Sequence, residues 1–344
     1  MVSLFFWRKK KPADPVAAPA AVQSVEAAVA AAKPRPKPAK PLPIRRMVYA
    51  LALNDPRAAD PAASHDATQT GLLLATTQEV AKVGIEPRYT PQRPSLIPQL
   101  MEVVNDEDAS LRSLARIVAQ DPQLTGEMLR TANSPLYKIS REPVESVERA
   151  ASVLGTRGMR TLISGALMKP LARSGGRTGR FGDIIWEHSL YSASAGEAWA
   201  ARSEDADPFA AHMLALLHGL GSVTVYRVLS DIYASKGVSR DGAAIAIALD
   251  SGSPVAAWRI AQNWGLSERT RQALEAQSPG APIADASPLA QSLNFGMYAG
   301  ALTLLCKRER LTEEAAAAQL LAGGFEGTQV ERIWDRLMRA YVRH

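Results

Sequence analysis

The chain has 344 residues, with 40 basic and 34 acidic side chains, a formal charge of +6 and a sequence pI near 9.5. Its 47% hydrophobic content excludes global disorder. The single cysteine, Cys306, excludes a disulfide framework and a cysteine-based zinc site, which makes a reducing cytoplasm the expected compartment. No unbroken run of about 18–20 apolar residues offers a membrane span.

The positive charge sits at the front. Residues 1–46 hold ten cations against Asp14 and Glu26, a net of +8, which leaves −2 for the other 298 residues. Eight of the 23 prolines also fall here, among many alanines. Such a stretch buries too little apolar surface to offset ordering entropy, so residues 1–46 are expected to be a disordered Ala/Pro/Lys-rich basic tail. Lys33 to Pro43 favours extended polyproline II, and Val22 to Ala32 a transient helix. Met1 to Trp7 is apolar and runs into Arg8–Lys11. The segment Met1–Lys11 reads either as an interfacial membrane anchor or as a disordered start that holds aromatics.

Residues 47–91 form an extension with one helix expected from about Asp66 to Val83. Pro91 and Pro94 mark a boundary. Beyond it the apolar spacing is helical almost without break. Ile97, Leu100, Met101 and Val104 recur at intervals of three and four. Ser110 caps a helix through Leu111, Leu114 and Val118, and Asp121–Pro122 opens the next. Further helices are expected over 144–154, 157–171, 183–201, 207–217, 222–235, 241–249, 254–263, 267–276, 287–305, 312–322 and 328–342. The chain reads as all-α.

Two stretches carry a family resemblance. The first runs from Asp121 to Tyr137 and includes Asp121, Pro122, Leu124, Thr125, Leu129, Arg130, Asn133, Ser134 and Tyr137. It resembles the signature of the HDOD family, the HD-related output domains of bacterial signalling proteins. The second comprises Trp186-Glu187-His188-Ser189 and then Leu217-His218-Gly219-Leu220-Gly221, with Leu154-Gly155 upstream of both. It is similar to the core that HDOD domains share with HD phosphohydrolases. The resemblance covers about residues 92–285 and implies a helical bundle with an HD-like core. It comprises an N-terminal subdomain near 94–172 and the HD-like half near 183–285. Residues 286–344 are expected to pack on it as extra helices. Asp121, Pro122, Asn133 and Ser134 read as the start and stop of one helix. Arg130 and Tyr137 read either as a hydrogen-bonded brace or as a partner contact.

The resemblance also implies where metal ligands would stand. HD phosphohydrolases hold cations through a first His, a His-Asp pair and a later Asp, and the cations activate water and neutralise phosphate charge. His188 matches the first His and His218 the second, but Gly219 stands in place of the paired Asp. No His follows His218 before His344, and no Gly-Tyr-Pro tripeptide occurs. A degenerate, non-catalytic site without metal or cofactor is therefore expected, with His188 and His218 in packing or hydrogen-bonding roles. His65 and His212 have no ligand spacing and are expected at the surface. Asp250 and Glu275 are carboxylates with no evident tie to the pair. Cys306 follows an apolar run and reads as an inert core thiol.

From Gly155 to Gly182 there are six cations, Arg157, Arg160, Lys169, Arg173, Arg177 and Arg180, and no acid. Ser174-Gly175-Gly176 divides the stretch into a helix and a loop. It reads as a solvated basic face or as a docking site for an acidic protein or a phosphate. A near-neutral folded region without interleaved aromatics disfavours nucleic acid. The expectation is a cytoplasmic regulatory protein, with or without membrane contact at its N-terminus. It would act by protein–protein interaction, with GGDEF, EAL or receiver-domain proteins as partners in trans. A metal-dependent phosphohydrolase acting on a nucleotide or cyclic dinucleotide is the alternative, and a nucleic-acid-binding protein the third reading.

Overall fold

The computed structural model describes residues 40–94, 111–120, 122–134, 142–173 and 178–339. Among them every regular element is a helix: α1 (Ile44–Leu53), α2 (Ala67–Val80), α3 (Leu111–Ala119), α4 (Pro122–Ala132), α5 (Val147–Arg173), α6 (Gly179–Ala200), α7 (Pro208–Lys236), α8 (Gly242–Asn263), α9 (Glu268–Glu275), α10 (Pro288–Lys307), α11 (Glu313–Ala322) and α12 (Thr328–Arg339), with short 3-10 turns at Pro56–Ala59 and Ile283–Asp285. The all-α expectation holds. The tail over residues 1–39, the Met1–Lys11 segment, Asp121, Tyr137 and the Ser174-Gly175-Gly176 loop lie outside the described residues.

The helix starts follow local chemistry. The Asp66 side chain accepts from Gln69 N, Asp207 from Phe209 N and Asp241 from both Ala243 N and Ala244 N, so first-turn N–H groups are satisfied. Asp207–Pro208 repeats the Asp-Pro dipeptide that the sequence has at 121–122. At α7 the Asp207 side chain caps, and Pro208 at the first position gives up no needed hydrogen bond. Gly237 ends α7 in the left-handed conformation, φ 64°.

Three expectations change. First, the folded body starts earlier than Met47. Ile44 and Val48 of α1 are buried, Leu42 N donates to Gln319 Oε1 at 2.8 Å, and Gln319 Nε2 donates to Lys40 O at 3.0 Å. Lys40, Arg45 and Arg46 thus belong to the body. Residues 1–39 keep seven cations against two acids, which leaves +1 rather than −2 for the rest. Second, the segments expected at 207–217 and 222–235 are one helix, α7, and those at 241–249 and 254–263 are α8, which passes through Pro254. Third, the segments at 144–154 and 157–171 join in α5 across a kink at Gly155, whose φ of 66° and ψ of 174° only glycine adopts readily.

Two apolar cores result. The smaller gathers Leu114, Val118, Leu124, Met128, Leu154, Met159 and Ile163 from α3, α4 and α5, together with Phe209 and Met213 from the first turns of α7. The larger is built mainly on α6, α7, α8 and α10, with Ile185, Leu217, Leu249, Ile260, Trp264, Phe295 and Leu302 fully enclosed. Each such side chain removed from water stabilises by about 1.5–3 kcal/mol. Because α7 serves both cores, it is the central strut. It is long and apolar enough to cross a membrane, but 94% of its most apolar window is buried inside the fold. Helices α6 and α10 run in close contact: a Cβ on Gly296 would come within 2.6 Å of Ser192 O and 2.8 Å of Gly196 Cα. That approach brings the α10 backbone up to His188.

Candidate functional site

The HD-like site lies where α6, α7 and α10 meet under α1. Helix α6 supplies His188 and Ser189, α7 supplies His218 and Gly219, and α10 supplies the carbonyl of Met297. His188 Nε2 donates to Met297 O at 3.1 Å, which sets its tautomer. Burial holds the His188 imidazole down to about 4; the Met297 contact opposes that shift and the Arg45 charge adds to it. Burial, the Arg45 guanidinium and the neighbouring His188 push His218 well below the usual histidine range. His218 Nε2 is buried and has no hydrogen-bond partner among the described residues. Both rings are therefore neutral near pH 7.

Gly219 is enclosed by its neighbours. A Cβ there would stand 1.9 Å from Ser189 Oγ and 3.0 Å from Ser189 Cβ. Ser189 cannot yield freely, because its hydroxyl donates to Ile185 O at 2.7 Å. Two residues on, a Cβ on Gly221 would meet the backbone of α8 at 2.5 Å from Ser253 O. The glycines at 219 and 221 let α7 lie flush against α6 and α8. A carboxylate side chain at 219 has no room in this packing.

From above, α1 covers the pair. Ile44 and Arg45 face His188, and with Asn294, Met297 and Tyr298 they enclose a cavity of about 40 Å³. That is about the space one water needs. The next turn of α1 sets the buried Tyr49 hydroxyl against Ser222 and Ser253, and burial raises its pKa above the usual tyrosine range. Sequence reasoning missed Arg45 and Tyr49. The apolar spacing Ile44, Val48, Leu51 is present, but the expected boundary at residue 46 leaves Ile44 and Arg45 in the tail and Val48, Tyr49 and Leu51 in the extension.

The nearby carboxylates are already engaged. Glu187, next to His188, is buried in an ion pair with Arg308. Asp250 pairs with Arg46 Nε at 2.8 Å. Glu275 lines a different cleft beside Pro254 and Trp258. Among the described residues no group of three or more His, Cys, Asp or Glu side chains could hold a metal ion. The donor set at His188 and His218 comprises two imidazoles, no carboxylate and one fixed cation. It does not fit the divalent-cation site of HD phosphohydrolases.

The signature helix α4 is a structural device. Leu124 and Met128 enter the smaller core, and Thr125 Oγ1 donates to Val118 O at 3.1 Å. Asn133 Nδ2 donates to Leu129 O and to Val144 O, both at 2.8 Å, and Val144 N donates back to Asn133 Oδ1 at 2.7 Å. Asn133 thus ends α4 and clasps the chain that returns at Val144. Ser134 N bonds back to Thr131 O and Pro122 opens the helix. Arg130 is exposed and lies 4.0 Å from Glu127. Leu129 packs against the same core from a half-buried position.

The basic stretch divides. Arg160 and Lys169 are half-buried on α5, and Arg180 opens α6 with its Nε donating to Leu51 O at 3.2 Å. The side chains of Arg157, Arg173 and Arg177 lie outside the described residues. His212 corrects its surface assignment. It is 2% exposed, stacks beside Phe209 and has Nδ1 3.2 Å from Glu197 Oε2. The apolar run Ala211–Leu217 in which it stands was the available signal. His65 is half-buried, with its Nδ1 enclosed. Cys306 is half-buried, its thiol raised to about 11 by burial, as suits an unreactive packing residue.

Solved structures share this fold. An HDOD domain protein from Geobacter sulfurreducens aligns with a TM-score of 0.52 at 20% identity, over 78% of this chain and 94% of its own. A protein from Shewanella amazonensis SB2B, named as a candidate metal-dependent phosphohydrolase, aligns at 0.51 and 16%, over 79% and 99%. One from Marinobacter aquaeolei VT8, named as a candidate signal transduction protein, aligns at 0.51 and 19%, over 82% and 66%. No curated protein matches the chain. The family model of the HDOD domain matches residues 90–279, which span the Asn133 clasp and the His188–His218 pair. The chain belongs to the HDOD domain family.

Proposed function

We propose that this protein is a non-catalytic HDOD regulator of bacterial signal transduction that works by binding other proteins. The observation that carries this reading is the close packing of Gly219 on Ser189, with Arg45 beside the two histidines. An HD hydrolase needs a carboxylate and a bound cation at this point. Here the Ser189 side chain packed on Gly219 takes the place of the carboxylate, and a guanidinium that repels cations stands close by. The site is then a packed junction of α1, α6, α7 and α10, and the surfaces of these helices are what the protein offers to partners. GGDEF, EAL or receiver-domain proteins acting in trans are the class of partner this reading favours. The cytoplasm is the matching compartment.

Complementation tests this in the native cell. A strain lacking the protein should recover its regulatory phenotype when supplied with the His188→Gln/His218→Gln chain, once that chain is shown to melt cooperatively. Failure of a folded double variant to complement would overturn the reading. One observation favours a metal-dependent phosphohydrolase acting on a nucleotide or cyclic dinucleotide: the buried, unpartnered Nε2 of His218. Under that reading the double variant fails to complement, and hydrolysis by the wild type depends on added divalent cation.

A further inference from the structure

A second cavity, of about 400 Å³, opens on the other side of α1, between that helix, the 3-10 turn after it and the ends of α6 and α10. Its apolar wall is Met47, Leu51, Pro56 and Leu305, and two cations, Arg180 and Arg310, stand on its polar side. The volume falls within the range of small-molecule sites, which are mostly apolar with a few placed polar groups.

Neither arginine forms an ion pair among the described residues. Arg180 is fixed by its Nε bond to Leu51 O, which leaves its two terminal NH2 groups for a ligand. The backbone at Arg310 is set by a strained turn. Glu309 takes a left-handed conformation, φ 55°, and Arg310 N reaches back to Leu305 O at 2.8 Å. A side-chain-bearing residue adopts that conformation at a cost of about 1–2 kcal/mol, which glycine there would avoid. The one carboxylate on the wall, Asp55, is committed elsewhere: Oδ1 accepts from Arg57 N at 2.9 Å and Oδ2 from Gly242 N at 3.0 Å. The cleft therefore sets two guanidiniums against one carboxylate whose oxygens are both hydrogen-bonded to backbone N–H groups, a net charge of +1 among its described lining residues. Two guanidiniums match a phosphomonoester dianion in charge and in hydrogen-bond geometry.

We propose that this cleft binds a phosphorylated small molecule of about mononucleotide size. Its phosphate lies between Arg180 and Arg310, and its apolar or planar part rests on Met47, Leu51, Pro56 and Leu305. The site goes beyond the proposed function and is independent of it, since it uses none of His188, His218 or Gly219. Bound ligand would bridge α1, α6 and α10 and so tighten the helix that covers the histidine pair.

Calorimetric titration of the full chain with adenosine, guanosine, cytidine and uridine monophosphates and with inorganic phosphate tests the proposal. At least one nucleotide is expected to bind, about tenfold or more tighter than inorganic phosphate. Arg180→Ala and Arg310→Ala should each weaken it by about tenfold or more. Arg332→Ala, at an exposed cation on α12, should leave affinity unchanged, and equal melting temperatures show that the variants are folded. The proposal is overturned if no nucleotide binds in the millimolar range, if inorganic phosphate binds as well as the nucleotides, or if binding survives in both cleft variants.

Discussion

Ser189 Oγ stands 1.9 Å from the point a Cβ on Gly219 would occupy, and it is held there by its bond to Ile185 O. The two residues are therefore one packing unit, in which the hydroxyl fills the space that a side chain at 219 would take. Gly219→Ala should gain about 1 kcal/mol of helix propensity and yet lower stability by about 1–3 kcal/mol net, through overpacking. Combined with Ser189→Gly, the cost of the alanine should largely vanish. A double-mutant cycle by urea unfolding measures this coupling. Additive effects of the two changes would show that the contact does not govern position 219.

Acid should destabilise the protein through its buried histidines. Folded His188 titrates near 4, against 6.5 in the unfolded chain. Above about pH 6.5 the ring is neutral in both states and the full stability is present. Between 6.5 and 4 the unfolded chain takes up a proton that the folded one refuses, so stability falls, by about 3 kcal/mol for this residue. His218 is shifted in the same direction and adds to the loss. His188→Gln, which can still donate to Met297 O, should remove much of the slope. Unfolding free energies at pH 7, 6, 5 and 4 provide the check, and an equal slope in wild type and variant would contradict it.

The histidines should also differ in what their removal costs. His188→Leu leaves the Met297 carbonyl without that donor and should cost about 1–3 kcal/mol beyond the change in packing. His218→Leu removes a ring whose Nε2 has no partner among the described residues, and should be close to neutral at pH 7. Denaturant midpoints of the two variants should therefore separate. Equal loss in both would mean that His218 makes a stabilising contact of its own.

Asn133→Ala should be among the most damaging changes in the signature helix. It strips Val144 N and Val144 O of their partner and unfastens α4 from the segment leading to α5. A loss of about 2–4 kcal/mol is expected from two stranded backbone groups. Asn133→Asp keeps the acceptor and loses the donor, so it should fall between wild type and alanine. Thermal melts of the three proteins test that order, and an alanine variant as stable as wild type would refute the clasp.

Much of this architecture was legible because it is local. Caps such as Asp66 and Asp207 and apolar spacing locate the helices, and the residues from Asp121 to Tyr137 and around His188 and His218 carry the family resemblance. What escaped is long-range or depends on packing. Gly219 and Gly221 read as a break in a helix, whereas they are the positions where α7 meets α6 and α8. His212 read as a surface residue because its partner, Glu197, lies on another helix. Arg45 read as one more cation of a basic tail. Only the fold carries it across more than a hundred residues to His188 and His218.

Metal content tests the central claim most directly. The full chain would be produced in medium supplemented with iron, manganese and zinc, purified without chelator, and analysed by elemental mass spectrometry beside the His188→Gln/His218→Gln variant. The account expects far less than one equivalent of any divalent metal in the wild type, and the same trace level in the variant. About one equivalent or more in the wild type, lost in the variant, would contradict it and restore the phosphohydrolase reading.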